Sequence, residues 1–282
     1  MKKSFLLSIV AILFISVLAA CGKESSGKGD KVVTIGVTGT DGQMWDIIKE
    51  KAKKEGITIK LKEFSDYTIP NQALADGEID LNAFQHIAFL NQFKKEHKLD
   101  ITPIGTTQIA PMGMFSDKYK SPEEIPNGGE IAIPNDPSNQ ARALLLLQST
   151  GLIKLKSDFG LFGDPSGIVE NPKKLKITPV VAQQTPRVLK DVAASVINNG
   201  VAGQAGLNIT KDSIYLEDPN SDTVKPYINI IAARTKDKDN KTYKKIIEIY
   251  HSEEVEEAIK KDTKGGSIVV NIPIKDLEDV IK

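Results

Sequence analysis

The sequence predicts an α/β fold made of two lobes. Strand-like and helix-like segments alternate from residue 31 onwards, and they form two sets that are separated near Ser116. Alternation of this kind indicates βαβ units around mostly parallel sheets. About 250 residues are available, which is enough to bury the core of one large or two medium domains. In such folds a ligand binds at the carboxyl ends of the strands, here between the lobes.

The first set of segments is identified by its residue spacing. β-branched runs, and apolar residues that alternate with charged ones, predict strands at residues 32–37, 57–64 and 79–81. Apolar residues at helical spacing predict helices at residues 43–55 and 86–95. Each helix follows a strand, as a βαβ unit requires.

The second set shows the same alternation. It contains predicted strands at residues 130–133, 176–181 and 193–197 and a predicted helix at residues 138–150. A further strand at residues 228–233 is followed by predicted helices at residues 241–250 and 253–261. The sequence therefore predicts a second lobe, then additional elements towards the C-terminus.

The N-terminus predicts a secreted and lipid-anchored protein. Lys2 and Lys3 precede an apolar run at residues 5–18, and the sequence LAAC ends at Cys21, as in a lipobox. We therefore predict a signal peptide at residues 1–20 that is cleaved before Cys21, whose thiol then receives a diacylglyceryl group. The alternatives are an ordinary cleaved signal and an uncleaved anchor helix, for which the apolar run is short.

The residues that follow predict a tether. Residues 21–30 are rich in Gly, Ser and charge, so we expect a flexible linker to the globular part. Without residues 1–20 the chain has 35 basic and 37 acidic residues, a formal charge of −2, which gives no indication of a nucleic-acid partner. Cys21 is the single cysteine, so the fold has no intrachain disulfide.

Polar and aromatic residues occur where the predicted strands end. The segments concerned are FSDYTIPNQAL (64–74), DGEIDLNAFQH (76–86), PNDPSNQARAL (134–144), AQQTPR (182–187), VINNG (196–200) and KPYINI (225–230). Together, and in this order, they resemble the NlpA/MetQ family of methionine-binding lipoproteins over nearly the whole chain. Each segment alone would be a weak signal.

This resemblance implies a two-lobed, type II periplasmic-binding-protein-like fold in which each lobe is a mixed sheet flanked by helices. The implied first lobe covers residues 31–112 and 225–282, and the implied second lobe covers residues 113–224. The function implied is the capture of methionine, or of a methionine-containing dipeptide, and its delivery to the permease and ATPase subunits of an ABC importer. We expect a monomer held by its lipid on the outer face of a Gram-positive cell membrane.

Arg142 is the candidate for binding the ligand carboxylate, a role that the resemblance also implies. A guanidinium offers a planar fork that matches a carboxylate, and a charge-assisted pair of this kind is strong and directional. If Arg142 faces an open, wet cleft when the cleft is empty, its loss should hardly change the stability of the ligand-free protein. The alternative is a surface arginine on its helix.

Asn198 and Asn229 are the candidates for the rest of the zwitterion. An amide offers donors and an acceptor without a net charge, and the resemblance places both residues at the backbone of the ligand. The alternative for Asn198 is turn chemistry, and Asn199 could be the contacting amide instead. Asn229 lies within an apolar strand, where an amide needs a partner.

Tyr67, Phe84 and His86 are the candidates for the pocket of the ligand side chain. A thioether is polarisable and packs well against aromatic edges. Ordinary core packing is the alternative, and it suits Phe84 best. His86 lies at a predicted junction between strand and helix, where core packing explains it less well. Asp66, Asn139 and Gln183 are plausible supporting residues.

The sequence favours a binding protein over an enzyme. It contains no histidine pair at metal-ligand spacing, no G-x-S-x-G, no P-loop and no second cysteine. The glycines at residues 36–42 lack the G-x-G-x-x-G spacing. We therefore predict no catalytic residue, no metal and no cofactor. The remaining alternatives are a surface adhesin and a secreted hydrolase built on a binding-protein fold.

Overall fold

The computed structural model describes residues 31–40 and 42–278. The predicted signal peptide, Cys21 and the tether lie outside these residues and stay predictions. Within the described part of the chain, no helix is long and apolar enough to cross a membrane.

The elements of the first half alternate as the sequence predicts. They are β1 (Lys31–Val37), α1 (Met44–Lys54), β2 (Ile57–Glu63), α2 (Pro70–Asp76), β3 (Leu81–His86), α3 (Ile87–His97) and β4 (Ile101–Ile109). The chain continues through β5 (Gly113–Phe115), β6 (Glu130–Pro134), α4 (Pro137–Ser149), β7 (Lys154–Leu155), β8 (Ile168–Glu170), β9 (Lys176–Val180), β10 (Ala194–Ile197), α5 (Asn199–Gln204) and β11 (Ser213–Leu216). It ends with β12 (Ile228–Arg234), α6 (Lys241–Tyr250), α7 (Glu253–Asp262), β13 (Ile268–Val269) and α8 (Ile274–Glu278).

Eleven of the described strands form two mixed sheets, each of which is the centre of one lobe, and β7 and β8 form a separate antiparallel pair. The first sheet has the order β13-β4-β12-β3-β1-β2, and the second has the order β11-β5-β10-β6-β9. In the first sheet β1 is parallel to β2 and β3, whereas β12 is antiparallel to β3 and β4. The chain passes from the first sheet to the second between Ile109 and Gly113, and it returns between Leu216 and Ile228.

The position of β3 corrects one sequence prediction. The strand was expected at residues 79–81, with the polar residues after its end, but β3 covers Leu81–His86. Three buried amides explain the difference. Asn71 Nδ2 donates to Gln85 Oε1 at 2.8 Å, and Gln85 Nε2 donates to Asn82 Oδ1 at 2.9 Å. Because the amides satisfy one another, polar residues can occupy a buried strand.

Apolar clusters cover both faces of each sheet. In the first lobe, Ile35, Ile48 and Leu81 belong to one cluster, and Leu74, Leu90 and Ile230 belong to the other. The larger cluster of the second lobe contains residues of β6, α4 and β10. A smaller one packs around Phe115 and Ile197, and Tyr67 of the first lobe packs against it. The two lobes are therefore in contact beside the cleft.

Candidate functional site

A cavity of about 390 Å³ lies between the two lobes. This volume falls in the lower part of the range usual for small-molecule sites. All six residues proposed from the sequence as ligand contacts line it: Tyr67, Phe84, His86, Arg142, Asn198 and Asn229. The fold thus brings together residues that are up to 162 positions apart in the chain, from Tyr67 to Asn229.

His86 lies where β3 ends and α3 begins, as the N-cap of that helix. Its Nδ1 accepts a hydrogen bond from the backbone N–H of Phe89 at 3.1 Å. The proton of the neutral ring is therefore on Nε2, which donates to Asn139 Oδ1 at 3.2 Å. Burial, and next the charge of Arg142, lower the pKa of His86 to about 3. The side chain is a neutral wall of the cavity, and both of its nitrogens are already bonded.

Asn139 connects the two lobes at this point. It lies in the first turn of α4, and its Oδ1 also accepts a hydrogen bond from Asn198 Nδ2 at 2.7 Å. Its Nδ2 donates to Asp136, the N-cap of α4, at 2.9 Å. Burial raises the pKa of the Asp136 carboxyl. The bond between His86 and Asn139 thus joins β3 of the first lobe to α4 of the second.

Arg142 lies one turn further along α4, and its surroundings do not meet the condition of an open, wet cleft on which the predicted small effect on stability depended. Only 3% of the side chain is exposed, and Glu217 accepts hydrogen bonds from its Nε, at 2.9 Å, and from its Nη2. Burial disfavours the charge, but Glu217 outweighs this effect and raises the pKa of Arg142. The planar fork that was expected to meet a ligand carboxylate is therefore occupied by Glu217. Nη1 makes no hydrogen bond to the described residues and remains available.

The ion pair also fixes the two chain crossings between the lobes. Arg142 Nη2 donates to the carbonyl of Ala110 at 3.0 Å, and the N–H of Met112 donates to Glu217 Oε2 at 3.0 Å. The guanidinium lies 4.5 Å from the centre of the Tyr227 ring, an arrangement that favours a cation. Residues of both crossings thus contact the same pair.

The three asparagines near the cavity have different partners. Asn229 Nδ2 donates to the carbonyl of Gln108 at 3.2 Å. Asn199 Nδ2 donates to the carbonyl of Gly266 at 3.1 Å, which links the lobes a second time. Asn198 Oδ1 is buried and has no hydrogen-bond partner among the described residues. Of the two neighbouring amides, Asn198 is therefore the one with an unused buried acceptor.

Aromatic rings form one wall of the cavity. The ring centres of Tyr67 and Phe84 are 5.9 Å apart, and both rings also contact Phe89, at 6.1 and 5.9 Å. Burial, and next the Asp136 carboxylate, raise the pKa of the Tyr67 hydroxyl, so it stays protonated. Trp45 and Tyr250 line the cavity as well. This wall is suited to an apolar or thioether group.

Three residues that contribute to this geometry were not predicted from the sequence as ligand contacts. Glu217 and Gln108 carry no motif signal, because each lies outside the six motif segments. Asn139 was noted as a supporting residue only. Its position as the second residue after an Asp-Pro helix start could have indicated a capping network. No group of three or more His, Cys, Asp or Glu side chains in residues 31–40 and 42–278 could hold a metal ion.

Two lobes with a ligand-sized cavity between them define the class of two-lobed, type II binding proteins. Residues 33–271 match the NlpA lipoprotein family, and the chain belongs to that family.

Similar proteins, among them two with solved structures, belong to the same class. The D-methionine-binding lipoprotein MetQ of Salmonella typhimurium is 42% identical over 255 residues, which are 89% of this chain and 92% of that protein. A nutrient binding protein from Burkholderia cenocepacia bound to methionine is 46% identical, with a TM-score of 0.80 over 84% of this chain and 99% of that one. The substrate binding protein of a methionine transporter from Streptococcus pneumoniae is 42% identical, with a TM-score of 0.80 over 85% of this chain and 95% of that one. All three are binding proteins rather than enzymes.

Proposed function

We propose that this protein is a lipid-anchored solute-binding protein that captures methionine between its lobes and delivers it to an ABC importer. One observation carries the proposal. A single cavity combines the cation of Arg142, the unused amide oxygen of Asn198 and the aromatic wall around Phe84. The relatives named above bind methionine or belong to methionine transporters, and they support the same ligand.

Each part of the ligand has a group in the cavity with matching chemistry. Arg142 Nη1 would donate to the α-carboxylate, because its other donors are used by Glu217 and Ala110. Asn198 and Asn229 would contact the α-amino and carboxylate groups. Tyr67 and Phe84 would enclose the thioether, which packs well against aromatic edges. His86 would shape this pocket without bonding the ligand, since both of its ring nitrogens have partners.

The anchor and the oligomeric state are further parts of the proposal. Acylation of Cys21 would hold the protein on the outer face of a Gram-positive cell membrane, within reach of the permease. The chain would act as a monomer. The ligand would be free methionine, of either hand, or a methionyl dipeptide.

Ligand titration of protein purified without refolding tests the proposal. Any ligand that binds only the folded state raises the melting temperature by mass action. We expect such a shift, and a calorimetric binding signal, with one or more of L-methionine, D-methionine and glycylmethionine. Native mass spectrometry would show whether one of them is carried through purification. A shift with a sugar or a metal ion, and none with these three, would contradict the proposal.

A further inference from the structure

Gln108 is a polar residue of the cavity that the proposed function has not used. It lies on β4, and its side-chain Oε1 is buried without a hydrogen-bond partner among the described residues. Asn198 Oδ1 is in the same state, and both residues line the cavity. Buried acceptors without a donor are unfavourable and uncommon in folded proteins, so two of them around one cavity indicate a ligand that brings donors.

The sheet places Gln108 beside residues that already have a proposed role. Strands β3, β12 and β4 are neighbours, and Asn229 of β12 is in register with His86 of β3. On its other side, Asn229 Nδ2 donates to the backbone carbonyl of Gln108 at 3.2 Å. His86, Asn229 and Gln108 therefore form a row across three strands at the wall of the cavity.

Two carboxylates near the cavity have hydrogen-bond partners within the protein. Asp262 lines it, but its Oδ2 accepts the backbone N–H groups of Gln43, at 2.8 Å, and Met44, at 3.0 Å, where α1 begins. Glu217 is paired with Arg142. Among the neutral amide oxygens that line the cavity, Gln108 Oε1 and Asn198 Oδ1 are the buried ones without a partner among the described residues.

We propose that Gln108 Oε1, together with Asn198 Oδ1, accepts hydrogen bonds from the α-ammonium group of the ligand. An ammonium group offers three donors and no acceptor, which matches two acceptors that lack donors. Gln108 is then a residue that determines specificity for α-amino compounds. This inference rests on the proposed function, because it assigns one group of the same ligand.

Calorimetric titration of Gln108→Leu with two ligands tests this assignment. The ligands are L-methionine and its desamino analogue, 4-(methylthio)butanoate, which keeps the carboxylate and the thioether. We expect Gln108→Leu to weaken methionine binding by about 10- to 100-fold, since hydrogen bonds to charged groups are among the stronger ones. The affinity of Gln108→Leu for the analogue should fall by no more than about 3-fold. Gln184→Leu is the matched control, because Gln184 is exposed and lies outside the cavity.

Gln108→Glu tests whether the amide oxygen or the amide nitrogen contacts the ligand. It replaces the nitrogen by an oxygen and keeps the size of the side chain. It retains an acceptor, so we expect methionine affinity within about 5-fold of that of the wild type. A loss as large as that of Gln108→Leu would show that Nε2 is the contacting atom and would overturn the assignment. Equal losses for both ligands would overturn it as well. A wild-type chain that binds none of the methionine compounds would instead refute the proposed function, and this assignment with it.

Discussion

Arg142 and Glu217 form a buried ion pair in which two guanidinium nitrogens donate to the two carboxylate oxygens. The side chains are 3% and 13% exposed, and the pair contacts both segments that connect the lobes. The small effect on stability predicted from the sequence depended on Arg142 facing an open, wet cleft in the empty protein. The pair instead gives it a structural role in addition to its place at the cavity. Two functions of one residue then have to be separated by experiment.

Replacement of Arg142 by Ala should destabilise the ligand-free protein, contrary to the expectation from the sequence. It leaves Glu217 buried without its partner, and breaking a buried pair in this way costs about 3 kcal/mol of unfolding free energy. Urea denaturation of the ligand-free variant measures this loss. Arg187→Ala is the control, because Arg187 is an exposed arginine of the same lobe. An unchanged unfolding free energy would show that the pair contributes nothing to the fold.

Ligand binding by the same variant tests the other role of Arg142. We expect Arg142→Ala to weaken L-methionine binding by about 30-fold or more, because the ligand carboxylate loses its counter-charge. The affinity for methioninol, which has no carboxylate, should fall much less. Equal losses for the two ligands would assign Arg142 to the ion pair alone and place the carboxylate elsewhere in the cavity.

A second prediction concerns the hydrogen bond between His86 and Asn139, which joins the lobes. Asn139→Ala removes the acceptor that His86 Nε2 and Asn198 Nδ2 share. We expect a more open protein, with about 10-fold weaker methionine binding because closure is less favourable. Small-angle scattering should show a larger radius of gyration than in the wild type, whereas Asn127→Ala, at an exposed position, should leave it unchanged. An unchanged radius together with unchanged affinity would count against this role.

The sequence predicted the elements well where one physical signal dominated. Helical spacing gave α6 at residues 241–250 with the bounds that the structure has, and β-branched runs located β1 and β12 closely. The strand β3 was missed beyond Leu81, because Asn82 and Gln85 are buried polar residues. Their partner Asn71 lies in the helix α2, and no local pattern contains that information.

The candidate site could likewise be predicted from the sequence only where its residues lie in the motif segments. The six residues taken from the motif segments all line one cavity, since those segments lie at the ends of strands and at helix starts. Glu217 and Gln108 could not be found in this way. Glu217 comes directly after β11, at the start of an irregular stretch, and Gln108 lies near the end of a long strand. Their approach to Arg142 and Asn229 therefore depends on how the sheets are arranged.

A third prediction concerns the aromatic wall. Phe84→Leu keeps an apolar side chain but removes the ring, and favourable contacts between sulfur and an aromatic ring contribute roughly 0.3 to 1.5 kcal/mol. The preference for L-methionine over L-norleucine, which has a methylene in place of sulfur, should therefore fall by about 2- to 10-fold. Competition binding measures the ratio directly. Phe162→Leu, at an exposed ring outside the cavity, is the control; a ratio that is unchanged in Phe84→Leu would remove Phe84 from the thioether pocket.

A fourth prediction concerns the anchor. If Cys21 carries the lipid, labelled palmitate should enter the wild-type protein in cells, and Cys21→Ser should abolish labelling and release the protein from the membrane fraction. Methionine affinity should be unchanged, because residues 21–30 are predicted to be a tether outside the fold. A variant that still labels and stays in the membrane fraction would show that the lipobox prediction is wrong.

A fifth prediction follows from the pKa of His86, which burial lowers from 6.5 to about 3 in the folded protein. Between these two values the unfolded chain binds one more proton at this residue than the folded chain does. Stability therefore falls as the pH falls through this window, by at most about 1.4 kcal/mol per pH unit, and the effect is absent above about pH 7. Asp136, whose pKa burial raises, contributes in the opposite direction at acidic pH.

The contribution of His86 is isolated by comparing variants. Asn at position 86 can still accept the N–H of Phe89 as an N-cap but does not titrate. Urea denaturation of His86→Asn from pH 7 to pH 4 should show a weaker dependence of the unfolding free energy on pH than the wild type, by up to one proton. His97→Asn, at an exposed histidine of α3, should keep the wild-type slope. If His86→Asn also keeps that slope, His86 is not a buried neutral side chain in the folded protein.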